Sequence, residues 1–394
     1  MGADPILTER AELQNPPLSL YVHLPWCVRK CPYCDFNSHA LRGELPADTY
    51  VDALLSDLER ELPLVWGRTV HSVFFGGGTP SLFGASHFER LLAGIRAQLA
   101  LAPGAEITLE VNPGTVEHDP FGDYRDAGIN RFSLGVQSFD DAALGALGRI
   151  HGRAEALAAV ESLQAAGVTN FNLDLMFALP GQGLQQALAD LRTAIACEPA
   201  HLSHYQLTIE PNTAFHADPP ALPDEDAAWS MQEACGQALE QAGYRQYEIS
   251  AWARPGRECA HNLNYWRYGD FLGVGAGAHG KLTLAAEGRV CRRVRRRHPE
   301  AWMRAARAGD TTLAEERDLP ADERRFEFFL NQLRLREGVR KDQFGPRTGL
   351  GWASVAEPVA QLIAKGLYLE EPNRLVPTEL GWRFGNECQA LFLP

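Results

Sequence analysis

Three cysteines lie close together in the sequence, as Cys27, Cys31 and Cys34 of the segment CVRKCPYC. Thiolates are the usual protein ligands of iron–sulfur clusters, and three of them on a [4Fe–4S] cube leave one iron without a protein ligand. An open iron can bind a small molecule, so this spacing indicates a reaction centre rather than a site for electron transfer alone. A Cys₃His zinc site that includes His39 is the alternative that these residue types leave open.

A glycine-rich turn, Gly76–Pro80 with the sequence GGGTP, follows a predicted strand that ends at Phe75. Glycine lets the backbone pass close to a ligand, because no Cβ stands in the way. Glu110, Gln137 and Asp174 also lie at the ends of predicted strands. Active sites of barrel proteins form at the carboxyl ends of the strands, so we expect these segments to meet on one rim.

The elements that carry these residues alternate between β-rich and helical stretches, which favours a parallel sheet of βα units. Six strands are predicted, at 19–24, 69–75, 106–111, 131–136, 171–177 and 202–209. Six repeats in about 200 residues are too few for a closed eightfold barrel. The sequence therefore predicts an α/β fold built on a partial (βα)₆ barrel.

The pattern changes after about residue 285, where a basic run at 292–297 leads into predicted helices at 299–308 and 318–336. The segment 366–386 reads as a strand, a Pro-Asn turn, a second strand and a short helix, as in a winged helix. We therefore expect an N-terminal tail at 1–15, the barrel at 16–285 and a smaller α+β, winged-helix-like domain at 286–394.

Composition excludes several classes of protein. The 37 Lys and Arg against 50 Asp and Glu give a net charge of −13, which argues against a nucleic-acid partner. Eight cysteines are too sparse for a disulfide scaffold. No apolar stretch reaches the ~20 residues of a membrane span, and the N-terminus lacks the features of a signal peptide. A cytoplasmic protein is expected.

Several longer motifs occur together: YVHLPWCVRKCPYCDFNSH, FFGGGTPSL, LEVNPGT, RFSLGVQSF, GRIH and NLDLMFALPGQ. Their order and spacing resemble the radical S-adenosylmethionine (SAM) superfamily, and within it the coproporphyrinogen oxidase-like subfamily. The resemblance implies a [4Fe–4S] cluster on the three cysteines, with SAM on its open iron. It also implies SAM contacts from Tyr21, Tyr33, Gly77, Gly78, Thr79, Glu110, Gln137, Arg149 and Asp174.

The oxygen-independent oxidases of this subfamily carry a fourth cysteine two residues after the third, where this chain has Phe36. The chain also begins close to its first predicted strand, without the N-terminal arm of those oxidases. Both features resemble the HemW branch, whose members are haem chaperones thought to deliver haem to respiratory enzymes.

A second signature of that branch is HNxxYW, which matches His261, Asn262, Tyr265 and Trp266 and is associated with haem binding. Imidazole is a common axial ligand of haem iron, and aromatic rings can pack on a porphyrin. Alternatively, His261 and Asn262 cap a turn while Tyr265 and Trp266 fill the core.

The resemblance thus predicts a SAM- and [4Fe–4S]-binding haem chaperone, with haem as cargo and a respiratory or membrane haem protein as acceptor. Peripheral contact with the inner face of the membrane and a homodimer are further expectations. The first alternative is radical decarboxylation of the propionates of coproporphyrinogen III or of another tetrapyrrole, and the second is RNA modification. The run at 292–297 could meet haem propionates or an anionic membrane, but a solvated strand edge is the favoured interpretation.

Overall fold

The structure is a computed structural model, and it describes residues 11–115 and 119–394. Most of the predicted N-terminal tail, residues 1–10, lies outside the described residues.

Strands and helices alternate through the first two thirds of the chain. The elements up to residue 241 are β1 (Leu18–Leu24), β2 (Trp26–Cys27), β3 (His39–Ala40), α1 (Ala47–Val65), β4 (Thr69–Gly77), α2 (Ala85–Gln98), β5 (Ala100–Val111), α3 (Phe121–Asp126), β6 (Arg131–Gln137), α4 (Asp141–Ala146), α5 (Arg153–Ala165), β7 (Phe171–Phe177), α6 (Leu184–Ala196), β8 (His201–Gln206), α7 (Ala214–Ala217) and α8 (Glu225–Gln241).

Shorter elements follow. They are β9 (Arg245–Glu248), β10 (Ala251–Ala253), α9 (Ala260–Trp266), β11 (Asp270–Val274), β12 (His279–Leu284), β13 (Arg289–Arg295), α10 (Pro299–Ala308), β14 (Leu313–Asp318), α11 (Ala321–Gln332), β15 (Val339–Arg340), α12 (Lys341–Thr348), α13 (Ala356–Ala364), β16 (Tyr368–Glu370), β17 (Arg374–Pro377), α14 (Glu379–Arg383) and α15 (Gly385–Ala390).

One sheet of twelve strands forms the main body, in the order β14-β13-β12-β11-β1-β4-β5-β6-β7-β8-β10-β9. The six predicted strands are neighbours in it and run parallel. β11 adds a further parallel strand beside β1, whereas the strands beyond β11 and beyond β8 are antiparallel. The predicted α/β fold with a partial barrel is confirmed.

The two faces of the barrel strands differ in chemistry, as β1 shows. Leu20 and Val22 are buried on the outer face and belong to one apolar core with α1. The alternate positions Ser19, Tyr21 and His23 point into the barrel, because successive side chains of a strand point to opposite faces. The same alternation on the neighbouring strands places mostly polar side chains inside the barrel, with Phe74 of β4 as an apolar exception.

The C-terminal module has its own apolar core, to which Phe328, Phe344 and Leu375 contribute. Its sheet has the order β15-β17-β16, and α14 follows β17. This agrees with the strand, turn, strand and short helix that the sequence predicts.

The main sheet continues to Asp318, the last residue of β14, past the boundary predicted at residue 286. Residue 286 falls between β12 and β13, which pair with each other in the main sheet. The main core also includes Trp302 and Met303 of α10. The antiparallel strands β12 to β14 break the βα alternation, so the sequence pattern changes before the main sheet ends.

The arginine run is not a solvated strand edge, and that interpretation was wrong. β13 lies between β12 and β14, and it directs Arg293 and Arg295 toward α1. The Nε of Arg295 is 3.0 Å from a carboxylate oxygen of Asp57, and both side chains are almost completely buried. These guanidinium groups balance buried carboxylates and face neither solvent nor a ligand.

Among the described residues, no helix combines the length and the apolar composition that a membrane crossing needs.

Candidate functional site

The cysteine loop runs from the end of β1 to the start of α1. Short parallel pairing between β2 and β3 closes it, with Trp26 opposite His39. Cys27, Cys31 and Cys34 are free thiols and half-buried. All three line one cavity of about 1140 Å³ at the carboxyl ends of the barrel strands. A loop that presents three thiols to a cavity of this size fits a cluster with an open iron.

The glycine-rich turn packs directly against this loop. The backbone N–H of Gly78 donates to Leu24 (2.8 Å), and that of Thr79 donates to Trp26 (2.7 Å). Gly77 has φ +117°, and a Cβ there would lie 2.5 Å from the imidazole of His23. Glycine is therefore required at this position both by backbone conformation and by space.

Two carboxyl groups, on Glu110 of β5 and Asp174 of β7, face the cavity. Glu110 accepts a hydrogen bond from the backbone N–H of Gly77 at 3.2 Å, and Asp174 accepts one from Ser133 at 3.2 Å. Burial, followed by the charge of Asp174, raises the pKa of Glu110 to about 7. Burial also raises the pKa of Asp174. A bound cation would relieve this cost by pairing with the carboxylates.

A guanidinium group lies beside the thiols. The Nη1 of Arg149 donates to the Sγ of Cys31 at 3.6 Å, and Tyr33 lies near both. Gln137 ends β6 in the left-handed region, with φ +70°, and its side-chain oxygen accepts from the hydroxyl of Tyr205 at 2.7 Å. A non-glycine residue held in that conformation is a frequent mark of a functional site.

Eight of the nine predicted SAM contacts line this one cavity: Tyr33, Gly77, Gly78, Thr79, Glu110, Gln137, Arg149 and Asp174. Tyr21 does not. It lies deeper in the barrel, where its hydroxyl is 3.0 Å from Nδ1 of His23 and its ring lies beside Phe74 and His261. The strand alternation directs Tyr21 inward at mid-strand, too low to reach the rim.

The HNLNYW segment forms α9 at the opposite end of the barrel. Glu106 of β5 caps this helix, because its carboxylate accepts from the backbone N–H groups of Ala260 and His261, both at 3.2 Å. The predicted alternative, in which His261 and Asn262 form the cap, is therefore not what the structure contains. Glu106 could not be identified as this cap from the sequence, because it precedes α9 by more than a hundred residues.

The four residues of this motif separate into two pairs. Asn262 and Trp266 line the same cavity as the cysteines. His261 points into the barrel, with Nδ1 3.2 Å from the hydroxyl of Ser72, and Tyr265 packs against Trp266. None of the four is fully buried, so they do not fill a core.

The zinc alternative gains no support. In the part of the chain that the structure describes, no three His, Cys, Asp or Glu side chains converge on a point where a single metal ion could sit. The ring of His39 instead lies beside that of His298, with 5.9 Å between the ring centres.

Comparison with known proteins agrees with this arrangement. Residues 21–194 match the radical SAM superfamily, and residues 319–384 match the HemN C-terminal domain. The chain is 51% identical over 378 residues to the haem chaperone HemW of Escherichia coli K12, covering 96% of this chain and 98% of that protein. The chain belongs to the HemW family. HemW of Haemophilus influenzae is 49% identical over 382 residues, again with 96% of this chain and 98% of the relative covered.

The HemW fold also resembles a solved enzyme structure. The coproporphyrinogen III oxidase HemN of Escherichia coli, a radical SAM enzyme, superposes with a TM-score of 0.80 over 96% of this chain and 90% of the oxidase. The identity is 24%, so this likeness concerns the fold alone. In this HemW-family chain Phe36 is 60% exposed and lines the cavity, at the position expected for the fourth cysteine of such oxidases.

Proposed function

We propose that the protein is a haem chaperone that binds SAM and a [4Fe–4S] cluster and delivers haem to a respiratory or other membrane haem protein. The observation that carries this proposal is the single cavity. It is lined by the three thiols, by eight candidate SAM contacts and by Asn262 and Trp266 of the HNLNYW segment. Relatives named haem chaperones match almost the whole chain, which supports the same function.

Cys27, Cys31 and Cys34 would hold the cluster, which supplies one-electron chemistry to SAM when both are bound. The carboxylates of Glu110 and Asp174 suit the ammonium and ribose hydroxyls of SAM, whereas the guanidinium of Arg149 suits its carboxylate. The backbone of the turn at 77–79 would hold the methionyl end, and Gln137 and Tyr33 would complete the pocket. Tyr21 would support this layer from below.

Haem would lie further along the cavity, in contact with Asn262 and Trp266. Burial lowers the pKa of His261 to about 3, so its imidazole stays neutral, which is the form that binds haem iron. The ring is enclosed beside Ser72 and Phe74, so ligation of the haem iron by His261 would require this imidazole to reorient toward the cavity. Tyr265 would hold Trp266 in place.

The cysteine loop suits a peripheral contact with the inner face of an anionic membrane. Val28 and Phe36 are exposed apolar side chains of this loop, and the exposed Arg29 and Lys30 lie between them in sequence. We include this contact, a membrane-bound haem acceptor and a homodimer in the proposal. Vesicle flotation with anionic and neutral lipids tests the first, and the mass of the reconstituted protein in solution tests the last.

The function is tested by anaerobic reconstitution of the cluster followed by haem titration, read by absorbance. Coproporphyrinogen III, SAM and a reductant are combined with the same protein in a parallel reaction. Trp266→Ala and His261→Ala are compared with Trp66→Ala, because Trp66 is 82% exposed and lies outside the cavity.

We expect stoichiometric haem binding that is weakened by Trp266→Ala and His261→Ala and unchanged by Trp66→Ala, with no protoporphyrinogen formed. Multiple turnovers to protoporphyrinogen without specific haem binding would instead make the protein an oxidase. If His261→Ala alone leaves binding intact, His261 is not the iron ligand.

A further inference from the structure

The wall of the cavity between the barrel and the C-terminal module carries two adjacent donors without acceptors. The indole N–H of Trp266 and the Nε–H of Arg334 are both buried and have no hydrogen-bond partner among the described residues. The guanidinium carbon of Arg334 lies 4.3 Å from the centre of the Trp266 ring. Both residues line the cavity.

The location of this pair in the cavity wall distinguishes it from the other buried polar atoms without hydrogen-bond partners in the described chain. Of the residues with a buried side-chain nitrogen or oxygen that has no partner, Arg149, Trp266 and Arg334 are the ones that line this cavity. Arg149 lies at the cysteine end, where its Nη1 contacts Cys31. Trp266 and Arg334 therefore form a separate pair of donors that a bound molecule could satisfy.

An anionic acceptor suits this pair, because one of the two donors belongs to a guanidinium group. One nitrogen of the guanidinium, Nη2, is 3.3 Å from a carboxylate oxygen of Glu248, which holds the side chain in place. Nε lies on the same edge of the guanidinium group as Nη2 and has no acceptor of its own. Buried donors without partners are costly, and a charged acceptor gives stronger hydrogen bonds than a neutral one.

We propose that Trp266 and Arg334 bind a carboxylate of the cargo, which is a propionate when the cargo is haem. This inference rests on the proposed haem-chaperone function and adds the chemistry by which cargo is selected. In it, Trp266 is a hydrogen-bond donor, and the C-terminal module supplies a specificity residue of the binding site. Esterification of the carboxylates removes their negative charge and therefore weakens both interactions.

The test compares the binding of haem with that of haem dimethyl ester, whose two propionates are uncharged. The variants are Arg334→Gln and Trp266→Phe, the second of which keeps an aromatic ring but removes the N–H. Arg340→Gln is the matched control, because Arg340 lies in the same module, pairs with Asp342 and does not line the cavity. Circular dichroism and the absorbance of the reconstituted cluster check that each variant folds.

We expect each site variant to weaken haem binding about tenfold or more, and to weaken binding of the diester much less. The control should bind both ligands as the wild type does. If Arg334→Gln weakens the binding of haem and of the diester equally, Arg334 has a purely structural role and the proposal is overturned. The same comparison with Trp266→Phe is the independent check.

Wild-type protein that binds haem and the diester equally well, with both site variants unaffected, would overturn this inference alone. Wild-type protein that binds neither ligand would overturn the proposed function together with it.

Discussion

The raised pKa of Glu110 gives a quantitative prediction for Glu110→Gln. The folded protein holds this carboxyl group at a pKa of about 7, against an ordinary value of 4.5. Between these two values the unfolded chain has lost the proton and the folded chain keeps it. The folded state therefore binds more protons, and its stability falls as the pH rises through this interval.

The size of the effect follows from the difference between the two pKa values. At pH values above 7, this difference corresponds to a loss of about 3 kcal/mol in the free energy of unfolding. Access of cavity water to the side chain reduces the loss to about 2 kcal/mol. Glutamine has nearly the same shape, can still accept from Gly77 and carries no charge. Glu110→Gln should therefore raise the midpoint of thermal unfolding by about 3 °C at pH 8 and leave it nearly unchanged at pH 4.5.

Thermal unfolding of the cluster-free protein, with thiols kept reduced, measures both values. Glu106→Gln is the matched control on the same strand, since it weakens the cap of α9 and should lower the midpoint at both pH values. The explanation is refuted if Glu110→Gln is no more stable than the wild type at pH 8, or if its unfolding midpoint rises by the same amount at both pH values. In the protein with its cluster reconstituted, the same variant should also lose the stabilisation that added SAM gives the wild type.

Two further substitutions test the turn and the buried ion pairs. Gly77→Ala should lower the free energy of unfolding by more than about 2 kcal/mol, because the new Cβ would meet the imidazole of His23. Gly181 has φ +71° and no neighbour within 4 Å, so Gly181→Ala should lower it by only about 1 kcal/mol. Similar midpoints of chemical unfolding for the two variants would contradict this. Asp57→Asn should cost about 3 kcal/mol or more, because the charge of Arg295 is then poorly compensated inside the protein. A midpoint of thermal unfolding within 1 °C of the wild type would show that the pair contributes little.

The rim of the barrel was predictable because its residues follow parallel strands. Cys27 and Gly78 are distant in sequence, but β1 and β4 are neighbours, so the segments that follow them must meet. Tyr21 shows the limit of this reasoning. A motif names the residue, but only the register of β1 shows that its side chain lies below the rim.

The antiparallel extension and the lower part of the cavity could not be predicted in the same way. Arg293 and Arg295 read as a solvated basic run, because their partners Asp57 and Glu61 lie on α1, far away in sequence. The contact between Trp266 and Arg334 likewise depends on how the C-terminal module packs against the barrel. No local pattern in the sequence encodes such pairs.

The two faces of the barrel sheet have different consequences for how such a protein can diverge. Apolar residues such as Leu20 and Val22 hold the sheet against its helices from outside, while the inward side chains are polar and surround a cavity. Replacing an inward residue therefore alters what the cavity accepts and leaves the apolar core intact. A scaffold of this kind separates the residues that hold the sheet against its helices from those that select the ligand, so the binding site can change while the apolar packing stays the same.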